Sequence, residues 1–146
     1  PASATSPRIW LIRHGETDWN RDRRVQGHSD TPLNDSGRDQ AHTLADELAS
    51  ERLDAIYASD LSRARATADA VAASHGLEVR LDSRLRERSF GSWEGLTRED
   101  IIERPEQHHD GETDEEVRER VLAAVQSIAA AHPGEHVGDL HSSAPA

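Results

Sequence analysis

Ile9-Trp10-Leu11-Ile12 is an apolar run entered through Arg8 and closed by Arg13-His14-Gly15-Glu16-Thr17. Such a run reads as a buried strand. No core strand continues comfortably into a cation, an imidazole and a glycine. The quintet therefore belongs at the strand's C-terminal end, where open α/β sheets carry their ligand sites. Arg13 offers a planar fork of donors to a tetrahedral oxyanion. His14 is a nucleophile or an acid/base group near neutral pH. Gly15 lets a ligand approach the backbone closely. Taken alone, the pattern more often marks a strand end whose Arg and His are merely solvated.

The chain downstream alternates between two periods. Asp18 to Pro32 reads as a polar loop, and Leu33 to Gly37 as a helix entry with Asn34, Asp35 and Ser36 as candidate caps. Ala41, Leu44, Ala45 and Leu48 then follow helical spacing. Ala55 to Ser59 is a second strand. A helix follows from Asp60, with Ala64, Ala68, Val71 and Ala72 on one face. Leu77 to Leu81 is a third strand. Leu85 to Gly95 is an irregular loop, and Thr97 caps a short helix reaching about Arg104. Gln107 to Glu112 is a polar connection with His108 and His109 in solvent. Thr113 opens a helix carrying Val117, Val121, Val125 and Ile128 on one face, with Glu115, Glu116 and Glu119 near its positive end. Val137 to Leu140 is a last strand, weakened by Gly138 and Asp139. Strands alternating with helices predict right-handed crossovers and an α/β three-layer sandwich: a mainly parallel central sheet with helices on both faces.

At 146 residues the chain is expected to form one domain, 1–146. With three Trp, one Tyr and one Phe, its core must be mostly Ala, Leu, Val and Ile. A formal net charge of -11 disfavours nucleic acid or an anionic membrane as partner. No apolar run is long enough for a membrane span or a signal peptide, and cysteine is absent. These features predict a cytoplasmic protein without a thiolate metal site. No methionine stands at position 1 or elsewhere, which points to a processed or trimmed start.

Three stretches stand in order: Arg13 to Thr17, then Ser59-Asp60-Leu61-Ser62-Arg63-Ala64-Arg65-Ala66-Thr67-Ala68, then Leu85-Arg86-Glu87-Arg88-Ser89-Phe90-Gly91-Ser92-Trp93-Glu94-Gly95. From about Arg8 to Val121 the chain resembles the histidine phosphatase superfamily, in its phosphoglycerate mutase-like branch. The resemblance implies that His14 attacks phosphorus and becomes phosphohistidine. Glu87 would be the general acid and then the base that activates water. Arg13, Arg63 and Asn20 would hold the phosphate oxygens, and Gln26, Gly27 and Arg98 would line the substrate side. It implies no metal and no other cofactor. Two positive neighbours favour a neutral His14 imidazole, and a phosphate dianion favours a protonated Glu87.

The pattern breaks near the end. The family carries a second phosphate-binding histidine after a late strand, in a Ser/Thr-His-Gly setting. Here the match is Val137-Gly138-Asp139-Leu140-His141-Ser142-Ser143, with a serine in place of that glycine. His141 is thus a phosphate ligand only if the chain shifts locally. The domain is otherwise truncated, altered or incomplete at its C-terminus. Three functions remain open at this point. The first is a metal-independent phosphomonoesterase acting on a small phosphorylated metabolite. The second is a mutase-type phosphotransferase, and the third a non-catalytic phospholigand-binding protein. Oligomeric state is left open, with a homodimer compatible.

Overall fold

The computed structural model describes residues 6–104 and 108–141, the last by its backbone alone. Four strands form one sheet: β1 (Arg8–Arg13), β2 (Ala55–Ala58), β3 (Val79–Leu81) and β4 (His136–His141). Their order is β1-β4-β2-β3, and every neighbouring pair is parallel. The helices are α1 (Asp18–Arg21), α2 (Asp35–Leu48), α3 (Ser62–Ala73), α4 (Arg98–Ile102) and α5 (Asp114–Ala131). Short 3₁₀ turns occupy Ser83–Leu85 and Gly91–Trp93.

Alternation along β2 sorts the core into two layers. Ile56 and Ala58 face α2 and α3, packed with Ile12, Ala45, Ala64, Ala68, Val71 and Leu140. Ala55 and Tyr57 face α5, packed with Leu85, Ala124, Ile128 and Val137. Successive side chains of a strand point to opposite faces, so a sheet covered twice must be apolar on both. This is the three-layer α/β arrangement expected. The small side chains Ala64, Ala68 and Ala72 let α3 lie close to the sheet.

Two expectations need correction. The loop after Thr17 contains a helical turn, α1. Thr17 caps it in a reciprocal box, taking the Asn20 N–H on its hydroxyl while its own N–H reaches Asn20 Oδ1 at 3.0 Å. The turn is four residues long with Trp19 as its one apolar side chain, so no apolar stripe announces it. The last strand is not broken. β4 runs from His136 to His141 in the middle of the sheet, with Val137 and Leu140 fully buried. Parallel neighbours on both sides supply its ladder. Gly138 sits between Ile12 and Ile56, where a small residue fits.

Candidate active site

The Arg-His-Gly turn leaves β1 at the C-terminal edge of the sheet. His14 is buried, and its Nδ1 lies 2.6 Å from the Gly15 carbonyl oxygen. A carbonyl cannot donate, so Nδ1 carries the proton and the lone pair sits on Nε2. Gly15 N–H donates to Thr67 Oγ1 at 3.1 Å, and the Thr67 hydroxyl donates to the Arg63 carbonyl at 2.8 Å. The turn is thus fastened to α3. Its other side rests on the first turn of α2. A Cβ on Gly15 would run into the Gly37 backbone, and a Cβ on Gly37 into that of Glu16. Asn34 holds that helix end by accepting from Gly37 N at 2.8 Å.

Arg63 opens the second layer of the site. It is completely buried at the start of α3. Its Nη atoms donate to the carbonyls of Ser29 and Gly27, each at 2.7 Å, and to Thr31 Oγ1 at 3.3 Å. One Nη also lies 3.3 Å from Glu87 Oε2. Among the described residues, Arg63 Nε is buried with no hydrogen-bond partner. The other Glu87 oxygen accepts from Gly27 N at 3.0 Å. The loop from Gln26 to Thr31 therefore bridges the cation and the carboxylate. Gln26 is buried, and its Oε1 accepts from the Thr17 and Thr31 hydroxyls, each at 2.5 Å. Asp30 closes the loop onto α3 by accepting from Ser62 N at 2.7 Å.

Arg13 is exposed and lines a cleft of about 410 Å³ with His14, Gly15 and Thr67. Asn20 faces the same loop system with its oxygen committed to Thr17, which leaves the amide nitrogen as its donor end. The His141 backbone stands in register with Arg13, at the same edge of the sheet; its side chain lies outside the described residues. Arg98 begins α4 and is exposed. Among the described residues, no hydrogen bond or ion pair joins Arg98 to this group.

Several polar residues around the site are strongly held. Burial alone would raise the Glu94 carboxyl, but donors from Ser29 Oγ and backbone N–H groups bring it below the usual range. A bidentate contact from Arg86, at 2.6 and 2.7 Å, lowers Asp60. Arg120 pulls Glu112 down to about 2. His109, expected in solvent, packs edge-on against Phe90 and Trp93, with ring centroids 5.5 and 5.0 Å away. The aromatic pair on the Gly91–Trp93 turn gives it an apolar seat. Among the described residues, no three His, Asp or Glu side chains converge as a metal set.

The family model of the histidine phosphatase superfamily (branch 1) matches residues 9–138, which include every contact just described around His14, Arg63 and Glu87. The chain belongs to this superfamily. Among relatives, it is 39% identical over 145 residues to phosphoglycerate mutase-like protein 4 of Arabidopsis thaliana, covering 88% of this chain and 63% of that protein. It thus spans about three fifths of the length of that curated relative. Among solved structures, Bacillus stearothermophilus YhfR superposes with a TM-score of 0.86 at 37% identity, covering 93% of this chain and 74% of that one. A mycobacterial glucosyl-3-phosphoglycerate phosphatase complexed with VO3 superposes with a TM-score of 0.83 at 34% identity, covering 90% and 74%.

Sequence reasoning missed some residues that fasten the candidate site from outside it. Thr67 stands four residues after Arg63, the spacing at which a helical threonine bonds back to a carbonyl. That spacing was a usable signal. Arg120 occupies the inward stripe of α5 beside Val117, Val121 and Ala124, and an arginine there was the sign that the stripe faces something polar. Glu112 and Glu94 gave no such sign, because an acidic residue in a polar loop reads as solvated until its donors, Arg120 and Ser89 for one and Ser29 and Phe90 for the other, are known.

Proposed function

We propose that this chain is a metal-independent phosphomonoesterase that acts on a small phosphorylated metabolite through a phosphohistidine. One observation carries the reading. The buried His14 is held by its own glycine carbonyl in the tautomer that presents Nε2, in the same fastened unit as the Arg63–Glu87 pair. In the first step Nε2 attacks phosphorus, and the P–O bond to the alcohol breaks. Protonated Glu87 gives its proton to the departing oxygen. A phosphate dianion that takes up the charge of Arg63 and repels the carboxylate favours this acid form. In the second step the Glu87 carboxylate takes a proton from water, and the oxygen attacks the phosphohistidine. Inorganic phosphate leaves, and neutral His14 returns. Arg13, the Arg63 Nε and the Asn20 amide would hold the equatorial oxygens, where charge spreads in the transition state.

The solved relative that is a phosphatase supports hydrolysis. The Arabidopsis relative, named mutase-like, supports the second reading, transfer of the phosphoryl group to another hydroxyl. The test is intact-mass spectrometry after brief mixing with an activated aryl phosphate, on the native chain and on His14→Ala. A phosphoryl adduct on the native chain alone, with aryl alcohol released well beyond one equivalent, is the expected result. An adduct that persists after one turnover, and clears only with an added phosphate acceptor, would favour the mutase. Phosphate binding with neither adduct nor release would overturn both and leave a binding protein.

A further inference from the structure

All five N–H donors of Arg120 are occupied. Nε and one Nη grip the two oxygens of Glu112 at 2.6 and 2.7 Å. The remaining donors reach three main-chain carbonyls of a single segment: Arg84 at 2.8 Å, Arg86 at 2.5 Å and Glu87 at 2.7 Å. Glu112 in turn accepts from Ser89 N at 2.8 Å, and its own N–H donates to the Ser89 carbonyl at 2.8 Å. The Glu87 carbonyl takes a second donor, His28 Nε2, at 2.8 Å. A guanidinium has five donors and no acceptor, so this one is saturated. Its side chain is 19% exposed, which leaves little water to compete.

We infer that Arg120 and Glu112 form a positioning clamp for Glu87, fixing its main chain from behind so that its carboxyl meets the leaving oxygen. The inference rests on Glu87 being the general acid. Arg120 belongs to α5, on the opposite face of the sheet from α3, whose Arg63 holds the carboxylate in front. Gly27 and Arg63 fix where the carboxyl tip points; Arg120 fixes where the side chain starts. Proton transfer is sensitive to both, and a displacement of about 1 Å can cost on the order of 10²-fold in rate. Lysine cannot reproduce the clamp, because one ammonium cannot span a carboxylate and three carbonyls.

The test compares two substrates in single turnover, reading the appearance of phosphohistidine by rapid quench. A nitrophenyl phosphate has a leaving group that needs little help from an acid; a simple alkyl phosphate needs a proton. Glu87→Gln is the reference, and Glu112→Gln and Arg120→Lys are the clamp variants. Glu112→Gln keeps the shape of the side chain and is checked for a cooperative melting transition above the assay temperature. We expect the clamp variants to phosphorylate from nitrophenyl phosphate within about threefold of the native rate, and from the alkyl phosphate at least about tenfold more slowly. The affinity for inorganic phosphate should stay unchanged. Equal losses on both substrates, or none on either, would overturn the clamp while Glu87→Gln still discriminates. A Glu87→Gln variant that does not discriminate would instead overturn the acid itself.

Discussion

Arg63 and Arg13 both point at the same phosphate in the proposed mechanism, yet they are held in opposite ways. Arg63 is fully buried, donates to two carbonyls and a hydroxyl, and faces Glu87. Arg13 is exposed at the end of β1, an edge strand whose Leu11 is 71% exposed. A buried guanidinium is costly to desolvate, so the fold must satisfy it before any ligand arrives. That makes the Arg63 side rigid and ready. An exposed one keeps its water and its freedom, so a ligand must order it on arrival. The site thus pairs a preset wall with an adaptable one.

The sharpest break of this comparison is to remove each arginine in turn. Arg63→Met leaves Glu87 without its buried partner and strips two loop carbonyls of their donor. About 3–5 kcal/mol of stability should be lost in urea unfolding, and turnover with it. Arg13→Met should change stability by no more than about 0.5 kcal/mol while cutting turnover on the order of 10²-fold. Equal destabilisation by the two would end the contrast.

Acid should loosen the clamp behind Glu87 next. Glu112 titrates at about 2 in the fold against 4.5 in a free chain, because Arg120 holds its charged form. Its contribution is complete above about pH 4.5 and disappears as pH falls toward 2. That amounts to about 3 kcal/mol, read as a steep fall in unfolding free energy over that window that Glu112→Gln lacks. A smaller loss, about 1 kcal/mol, should follow from Thr17→Ala, which removes the cap of α1 and a donor to Gln26. At the open end, Leu11→Ser should leave the melting temperature unmoved, since the side chain it removes is already in water.

Much of the preset wall was legible before any coordinates. Ala64, Ala68 and Val71 mark the inner face of α3, and the resemblance to the histidine phosphatase superfamily points to His14, Arg63 and Glu87. What stayed hidden depends on contacts across layers. Arg120 meets Glu87 across 33 positions, and an arginine on a helix reads as solvated until the opposing carbonyls are known. β4 was misjudged for a related reason. Gly138 and Asp139 are poor strand residues by propensity, but a central position with partners on both edges overrides propensity.

The pairing of β1 with β4 also sets an order of events during synthesis. Arg8 waits for His136, 128 positions later in the chain. β2, α3 and β3 pair and pack with one another within a stretch of 27 residues, long before β4 arrives. At a ribosome speed of roughly 5–20 residues per second, the nascent first strand spends on the order of ten seconds unpaired. Throughout that interval Ile9, Trp10, Leu11 and Ile12 stand without the strand they pair with, and His14 beside them waits for β4 to slide in.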